Sequence, residues 1–368
     1  MSDPISKIKL DLWTSLRAGA STNGRVHLGI AGSRTSLIGV MAMVALIISG
    51  PAGAATRQHE TSAVGWTSRP SLNIGRVGAV AATIDGLIVE VGGFDPVQGG
   101  ALIAPTEARK TTGSGVWHFV ATVRTPRANA AAATFDGQVW VVGGYEEGVP
   151  PVNVVERFDP FANAWSRGPA LPEGRAQAGA AVLDGVLYVV GGDVAFGEGE
   201  MVTASGIAFD PRTHRWTPIT PLPAPRDRLR LVAAGDYLYA IGGATPSEDS
   251  LATVDRYDPR TGKWTSIAAM NQTRAVPGAT VIGRGRDARI AVVGGCEFVA
   301  GTRVQLRRTS EVFDPVTRQW RLLSAQLPTG RCSLAAATEA DGTLLAIGGG
   351  SDILPHDTAT AAVDALRL

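Results

Sequence analysis

The sequence predicts an all-β fold built from six repeated units, and two periodic patterns carry that prediction. Glycine doublets recur at steps of 48 to 54 residues, and a fixed period of this size is typical of proteins that repeat one supersecondary unit. A tryptophan keeps the same period and is followed by an arginine ten residues later in five units and eleven in one. The doublets are Gly92-Gly93, Gly143-Gly144, Gly191-Gly192, Gly242-Gly243, Gly294-Gly295 and Gly348-Gly349. The tryptophan and arginine pairs are Trp66 and Arg76, Trp117 and Arg127, Trp165 and Arg175, Trp216 and Arg226, Trp264 and Arg274, and Trp320 and Arg331.

The order of residue types within a unit predicts short antiparallel strands. In the second unit, an alanine-rich run from Ala128 to Phe135 is followed by Asp136-Gly137 and then by the apolar run from Val139 to Val142. Asp-Gly between two such runs predicts a two-residue hairpin turn, because both central residues need a positive φ. The continuous apolar run is typical of a strand buried on both faces. The fifth unit replaces this turn with the longer, basic segment Gly283 to Asp287.

An aromatic-Asp-Pro turn lies seven residues before four of the tryptophans, and the first unit breaks the pattern with Lys110 at the aromatic position. The four turns are Phe158-Asp159-Pro160, Phe209-Asp210-Pro211, Tyr257-Asp258-Pro259 and Phe313-Asp314-Pro315. The doublet glycines, the spaced aromatic residues and the period together resemble the Kelch repeat family, over about residues 56–368.

That resemblance implies a β-propeller of four-stranded blades around a central channel, and six doublets then imply six blades. The repeat pattern begins in mid-unit at Trp66, without a preceding repeat, and the last unit has no tryptophan after it. We therefore expect the strand at Trp66 to complete the blade that Arg331 begins. Such closure of the ring would remove an exposed sheet edge.

The N-terminal region, residues 1–55, has the pattern of a secretory signal. A basic, polar leader precedes the apolar run from Leu37 to Ser49, and small residues follow at Ala52 to Ala55. The alternative is a membrane anchor, but the run is shorter than the roughly 20 apolar residues that span a bilayer. We expect a secreted or periplasmic propeller over 56–368, without a stable membrane anchor after cleavage.

Export would decide whether the two cysteines of the sequence form a disulfide. Cys296 follows a glycine doublet, and Cys332 follows a repeated arginine in the adjacent unit. Those two positions of the repeat lie on the same face, so an oxidising compartment would let the thiols form a disulfide. Two free buried thiols are the alternative.

Composition excludes some classes of function. A formal net charge of +1 gives no electrostatic footprint for nucleic acid. None of the five histidines pairs at metal-ligand spacing, and no P-loop or nucleophile elbow occurs. We expect no metal or other cofactor, and a monomer.

The candidate site lies where the repeated arginines and the loops after the doublets share one mouth of the channel. The acids of these loops are Asp95, Glu146, Glu147, Asp193, Glu248, Asp249, Glu297 and Asp352. The arginines either bond to carbonyls or acids of neighbouring blades, or bind an anionic or hydroxyl-rich ligand. The resemblance permits the second role, because the arginine at this position contacts acidic peptides in some Kelch propellers.

The fourth unit departs from the repeat with three arginines, Arg226, Arg228 and Arg230, which strand alternation would place on one side. We predict them as the cationic part of a ligand site, with Arg175, Gln177 and Asn129 beside them. Acids of the third or fifth blade could instead neutralise them, because buried arginines are costly unless paired.

Two classes of function remain open. The first is a binding module that recognises a protein or a glycan through the loop face at the channel mouth. The second is a sugar-processing enzyme similar to the Kelch-type mutarotases and epimerases of acidic sugars, whose chains carry long insertions around the active site. This chain has compact repeats and no evident insertion, which favours the binding module.

Overall fold

The computed structural model describes residues 65–368 apart from 97–98, 114, 148, 197–198 and 352–357, so the predicted leader and its cleavage site lie outside the described residues. Within those ranges the chain is all β, and its helical residues are a single 3-10 turn at Gly285–Asp287. The same ranges contain no helix with the length and apolar character needed to cross a membrane. The strands are β1 (Thr67–Arg69), β2 (Val80–Ile84), β3 (Leu87–Val91), β4 (Phe94–Asp95), β5 (Ala101–Leu102), β6 (Thr106–Lys110), β7 (His118–Val120), β8 (Ala131–Phe135), β9 (Gln138–Val142), β10 (Val155–Asp159), β11 (Ala164–Arg167), β12 (Arg175–Ala176), β13 (Gly179–Leu183), β14 (Val186–Val190), β15 (Asp193–Phe196), β16 (Gly199–Val202), β17 (Gly206–Asp210), β18 (Arg215–Ile219), β19 (Arg230–Ala234), β20 (Tyr237–Ile241), β21 (Val254–Asp258), β22 (Lys263–Ser266), β23 (Gly278–Ile282), β24 (Arg289–Val293), β25 (Cys296–Val299), β26 (Thr302–Leu306), β27 (Ser310–Asp314), β28 (Gln319–Leu322), β29 (Ala335–Thr338), β30 (Leu344–Ile347) and β31 (Val363–Leu366).

Six antiparallel sheets of four strands follow the six sequence units. They are sheet one (β2-β3-β6-β7), sheet two (β8-β9-β10-β11), sheet three (β13-β14-β17-β18), sheet four (β19-β20-β21-β22), sheet five (β23-β24-β27-β28) and sheet six (β29-β30-β31-β1). In sheet six, Thr67 lies opposite Ala365 and Arg69 opposite Val363. The strand next to Trp66 therefore lies in the same sheet as the last three strands of the chain.

The first strand of each sheet begins later than the sequence pattern predicts. Strand β8, for example, starts at Ala131 rather than Ala128, because Asn129 has a φ of 54°, which no β-strand residue adopts. The equivalent residue has a positive φ in all six units, and we call these six the ring residues. They are Gly78, Asn129, Gln177, Arg228, Val276 and Ser333.

The ring residues are joined by six backbone hydrogen bonds of 2.8 to 3.0 Å, in which each N–H donates to the carbonyl of the equivalent residue in the preceding sheet. Gly78 donates to Ser333, the ring residue of sheet six, so these bonds form a closed cycle. The left-handed backbone turns each N–H toward the neighbouring sheet, which explains why the strands start late.

The sequence contains four Asp-Gly pairs. Three of them form turns with the predicted geometry, with a positive φ at both residues, as at Asp136 (49°) and Gly137 (67°). The turn at Asp341-Gly342 differs, since only Gly342 has a positive φ. There the backbone N–H of Thr343 donates to Asp341 Oδ1 at 3.0 Å.

Aromatic residues of sheets two to five connect each of these sheets to the preceding one. Phe158 packs against Trp165 within sheet two, with ring centroids 5.3 Å apart. Trp165 Nε1 then donates a 2.7 Å hydrogen bond to the carbonyl of Ala121, next to sheet one. Trp216, Trp264 and Trp320 make equivalent bonds to Pro169, Thr220 and Ala268. The aromatic-Asp-Pro and tryptophan pattern therefore has the same packing role in each of these four sheets.

Candidate functional site

The segments that follow the glycine doublets form the candidate site, and we call this end the loop mouth. In sheets one, three and five these segments extend into hairpins, β4–β5, β15–β16 and β25–β26. The doublets themselves need glycine, because a Cβ at Gly143 would lie 1.9 Å from the carbonyl oxygen of Arg175. The expectation of compact repeats is therefore too simple, since alternate units carry an additional hairpin at this mouth.

The repeated arginines are buried within their own sheets. Arg76 Nη2 lies 2.6 Å from Glu107 Oε1, Arg127 Nη1 lies 2.5 Å from Glu156 Oε2, Arg274 Nη2 lies 3.1 Å from Glu311 Oε1, and Arg331 Nη2 lies 2.7 Å from Asp364 Oδ2. Arg226 pairs with Asp255 in the same way. The prediction of acids from neighbouring blades is wrong, because the partner stands on the third strand of the same sheet.

Arg175 is the exception among the repeated arginines. Ile207 occupies the position of the acid in sheet three, and the hydroxyl of Ser205, two residues earlier, accepts a 2.7 Å hydrogen bond from Arg175 Nη2. Arg175 Nη1 donates to the carbonyls of Gly191 and Ser205. The predicted ligand-binding residue Arg175 is thus buried and bonded to its own sheet, without a carboxylate partner among the described residues.

The three arginines of the fourth unit do not share one side, which corrects the prediction from strand alternation. Arg228 is a ring residue with a φ of 55°, and strand β19 begins only at Arg230, so the alternation does not extend back to Arg226. Arg226 is buried in its ion pair, Arg228 lies in the loop mouth, and Arg230 lines a cavity between the first strands of the six sheets.

Arg228 lies at the centre of a polar group in the loop mouth. Its Nε donates a 3.1 Å hydrogen bond to Gln177 Oε1, and its Nη2 lies 3.6 Å from Glu248 Oε1. The guanidinium stacks on Phe298 of β25, with Cζ 5.3 Å from the ring centroid. The arrangement combines a cation, carboxylates and an aromatic face, which are the groups that recognise polar ligands.

Two buried carboxyl groups adjoin this arginine. Asp193 Oδ2 accepts hydrogen bonds from Tyr145 Oη at 2.6 Å and from Gln177 Nε2 at 2.7 Å. The pKa of Asp227 is raised to about 8, chiefly by burial and in part by the adjacent Asp193, against the opposing charge of Arg228. One of the two carboxyl groups can therefore hold a proton near neutral pH.

Of the six predicted site residues, the structure brings two into direct contact and places one more at the adjacent position of the ring. Gln177 and Arg228 are bonded directly, and Asn129 is the ring residue of the adjacent sheet, with its N–H bonded to Gly78 and its carbonyl to Gln177. A group of His, Cys, Asp and Glu residues that could hold a metal ion does not occur among the described residues.

Comparison with known proteins places these observations in a family. The Kelch motif matches residues 126–172, 174–223 and 225–271, which are units two to four. These matches support the Kelch-repeat family. Kelch-like protein 25 of Xenopus tropicalis is 28% identical over 210 residues, covering 56% of this chain and 35% of that protein. Kelch-like protein 35 of Mus musculus is 30% identical over 219 residues, covering 59% and 34%.

The chain thus spans about a third of the length of these Kelch-like relatives. Among solved structures, "Structure of YjhT" is similar with a TM-score of 0.67, covering 79% of this chain and 95% of that one at 18% identity. This likeness shows the fold alone, an all-β propeller with Kelch repeats.

Tyr145, Asp227 and Phe298 are site residues that the sequence did not single out. Tyr145 follows a doublet directly, a position whose side chain could have been expected at the loop mouth. Phe298 had no such signal, because its place depends on how the β25–β26 hairpin docks. Its N–H donates to Ser250 Oγ at 2.9 Å, and the N–H of Ala300 donates to Asp249 Oδ1 at 2.7 Å.

Cys296 and Cys332 are joined by a disulfide, with Cα atoms 5.2 Å apart. Cys296 begins β25, and Cys332 directly precedes the ring residue Ser333. The bond therefore fixes the base of the Phe298 hairpin to the first strand segment of sheet six.

Proposed function

We propose that the chain is a binding module that recognises a protein or a glycan through the loop mouth. The observation that carries this proposal is the convergence of Tyr145, Gln177, Arg228 and Phe298, from four successive units, on one end of the molecule. Together they present hydroxyl, amide, guanidinium and aromatic groups. A site assembled from several units reads a ligand at several points, as one loop could not.

The proposed architecture is a six-bladed propeller closed by the N-terminal strand. Six four-stranded sheets, the closed cycle of hydrogen bonds among the ring residues, and the pairing of β1 with β31 support it. A rigid ring of this kind would hold the loop segments at fixed distances, so that they act as one surface.

The proposed compartment is the periplasm or the exterior of the cell, with cleavage near Ala55. The apolar run from Leu37 to Ser49 and the disulfide between Cys296 and Cys332 support this proposal. N-terminal sequencing of the exported protein tests it. A mature chain that retains Leu37 to Ser49 would contradict cleavage. We expect the mature protein to act as a monomer without a cofactor.

The test of binding uses the mature protein in a pull-down and on a glycan array. Arg228→Ala should abolish capture of the ligand. Arg215→Ala should not, because Arg215 is exposed and lies at the end of sheet three opposite the loop mouth. Thermal melts of both variants separate lost binding from lost folding. Equal capture by Arg228→Ala and the parent would overturn the loop mouth as the site.

An enzyme acting on an acidic sugar is the second candidate, and the carboxyl pair of Asp193 and Asp227 beside Arg228 favours it. A protonated carboxyl next to a carboxylate and a cation is an arrangement that can donate and accept protons on an anionic substrate. NMR of the interconversion of sugar anomers tests this function. Acceleration that is lost in Asp227→Asn would support it, and no acceleration by the parent would exclude it.

A further inference from the structure

The central channel has a wide part and a narrow part, and the two adjoin. The wide part, about 810 Å³, opens at the Asp-Gly turns, and the narrow part, about 80 Å³, lies deeper. The same register position of all six first strands lines both. These residues are Ala81, Ala132, Ala180, Leu231, Ala279 and Ala336.

Arg230 is the charged residue among those that line the narrow part, and the others are alanine, glycine, valine and leucine. Equivalent positions in the other five sheets carry small or apolar residues: Val80, Ala131, Gly179, Gly278 and Ala335. The repeat therefore does not require this arginine. It is a departure of the fourth unit alone.

The guanidinium of Arg230 has almost no protein partners. Its Nη1 donates a 3.2 Å hydrogen bond to the carbonyl of Leu229, and it forms no ion pair within the part of the chain that the structure describes. Burial without a compensating charge lowers the pKa of Arg230 to about 10. Even so, the side chain stays cationic at neutral pH, and the half-buried guanidinium faces the channel without a carboxylate partner among the described residues.

The charged residues that line the wide part stand at its outer end. Glu339 is bonded to Arg109 at 2.5 Å, Asp341 accepts the N–H of Thr343, and Arg284 belongs to the turn of sheet five. Between these residues and Arg230 the walls are mainly alanine, leucine, valine and threonine. Beyond the exposed Arg284 at the outer end, the next cation without an ion pair in the described part of the channel is Arg230.

We propose that the narrow part of the channel binds one small monovalent anion, either chloride or the carboxylate of a short organic acid, against the guanidinium of Arg230. A volume of about 80 Å³ has room for such a group beside the guanidinium. The anion would supply the charge that the protein does not, and guanidinium binds carboxylates with two parallel hydrogen bonds. This site is separate from the loop mouth, so it stands or falls independently of the proposed binding module.

Bromide diffraction is the direct test. Crystals of the mature protein soaked in sodium bromide should show an anomalous peak at hydrogen-bond distance from the Arg230 guanidinium. Crystals of Arg230→Met should lack it. Absence of the peak in the parent protein would overturn the proposal, whatever the behaviour of the variant.

Thermal melts distinguish the two sources of the anion. Titration with sodium chloride or sodium acetate, against sodium sulfate at equal ionic strength, should raise the parent Tm by a saturable increment of roughly 2–4 °C. A response to chloride alone indicates an inorganic ion, and a response to acetate indicates an organic carboxylate. Arg230→Met should lose the increment and Arg215→Met, with its exposed arginine, should keep it. Equal increments in the parent and Arg230→Met would contradict the site.

Discussion

Replacement of Glu156 measures how much one buried arginine–carboxylate pair contributes to the stability of the fold. Arg127 keeps its bonds to the carbonyls of Gly143, Thr125 and Val141 when Glu156 is removed, but its charge is left uncompensated. We expect Glu156→Ala to lower the free energy of unfolding by about 3–5 kcal/mol in urea titrations.

Ser205→Ala is the control, because Ser205 is the side-chain partner of the repeated arginine in sheet three, where Ile207 replaces the acid. Arg175 loses only a neutral hydroxyl partner there, and the expected loss is about 0.5–1.5 kcal/mol. Similar losses for Glu156→Ala and Ser205→Ala would show that the carboxylate is not what the arginine needs.

Glu90 predicts a pH dependence of stability. It is fully buried, neither carboxyl oxygen has a hydrogen-bond partner among the described residues, and burial raises its pKa from 4.5 to about 8. Between those values the folded carboxyl holds a proton that the unfolded one has released. The free energy of unfolding should therefore fall as pH rises through this window, by up to about 1.4 kcal/mol per pH unit.

Glu90→Gln should reduce that slope by the contribution of Glu90, because the amide does not titrate, while the buried Asp227, whose pKa is also raised to about 8, keeps its own contribution. Glu147→Gln, at an exposed acid of the loop mouth, should leave the slope unchanged. Urea unfolding of the three proteins between pH 5 and 8 measures the difference. An identical slope in the parent and Glu90→Gln would mean that Glu90 is ionised in the folded state.

Single residues also mark where sequence reasoning stops. The pattern identified Arg228 and Gln177, since both depart from a small, apolar position of the repeat. It could not separate Arg226, Arg228 and Arg230, because it assumed an unbroken strand. The positive φ at Arg228 follows from a hydrogen bond to another sheet, and that partner is 51 residues away in sequence.

The glycine doublet is testable at the scale of a structural element. Gly143 and Gly137 both have a positive φ, 64° and 67°, so alanine strains the backbone at either. A Cβ at Gly143 would lie 1.9 Å from the carbonyl oxygen of Arg175, whereas at Gly137 nothing lies within 4 Å. We expect Gly137→Ala to cost about 1 kcal/mol and Gly143→Ala several times more, measured by urea unfolding. Equal costs would show that only φ matters at the doublet.

The disulfide is a second element that can be tested separately. It closes a sequence separation of 36 residues, and bonds of this kind contribute about 2–4 kcal/mol. The double variant Cys296→Ala, Cys332→Ala should lose that amount in urea titrations. Reductant should lower the stability of the parent to a similar extent and leave the variant unchanged. A variant as stable as the oxidised parent would contradict a structural role.

Elements that depend on local chemistry were predictable from the sequence, and those that depend on docking were not. Asp136-Gly137 and the apolar run of β9 follow from the residues themselves. The docking of the β25–β26 hairpin on Asp249 and Ser250 involves contacts between separate units, which no pattern within one unit encodes.

At the scale of the whole molecule, closure of the ring is the property that remains to be tested by experiment. Strand β1 is the outer strand of sheet six, and its removal would expose the edge of β31. An exposed strand edge can pair with other chains and promote aggregation. Removal of β1 together with Trp66 also uncovers the apolar residues that pack against Trp66. We expect a chain that begins at residue 71 to have a lower free energy of unfolding than the mature protein, by far more than the roughly 0.5 kcal/mol of an ordinary surface change. A chain that begins at residue 65 keeps β1 and is the control, which should melt like the mature protein. Thermal melts with light scattering compare the two, and equal melting of both truncations would show that β1 is dispensable and that the ring does not depend on it.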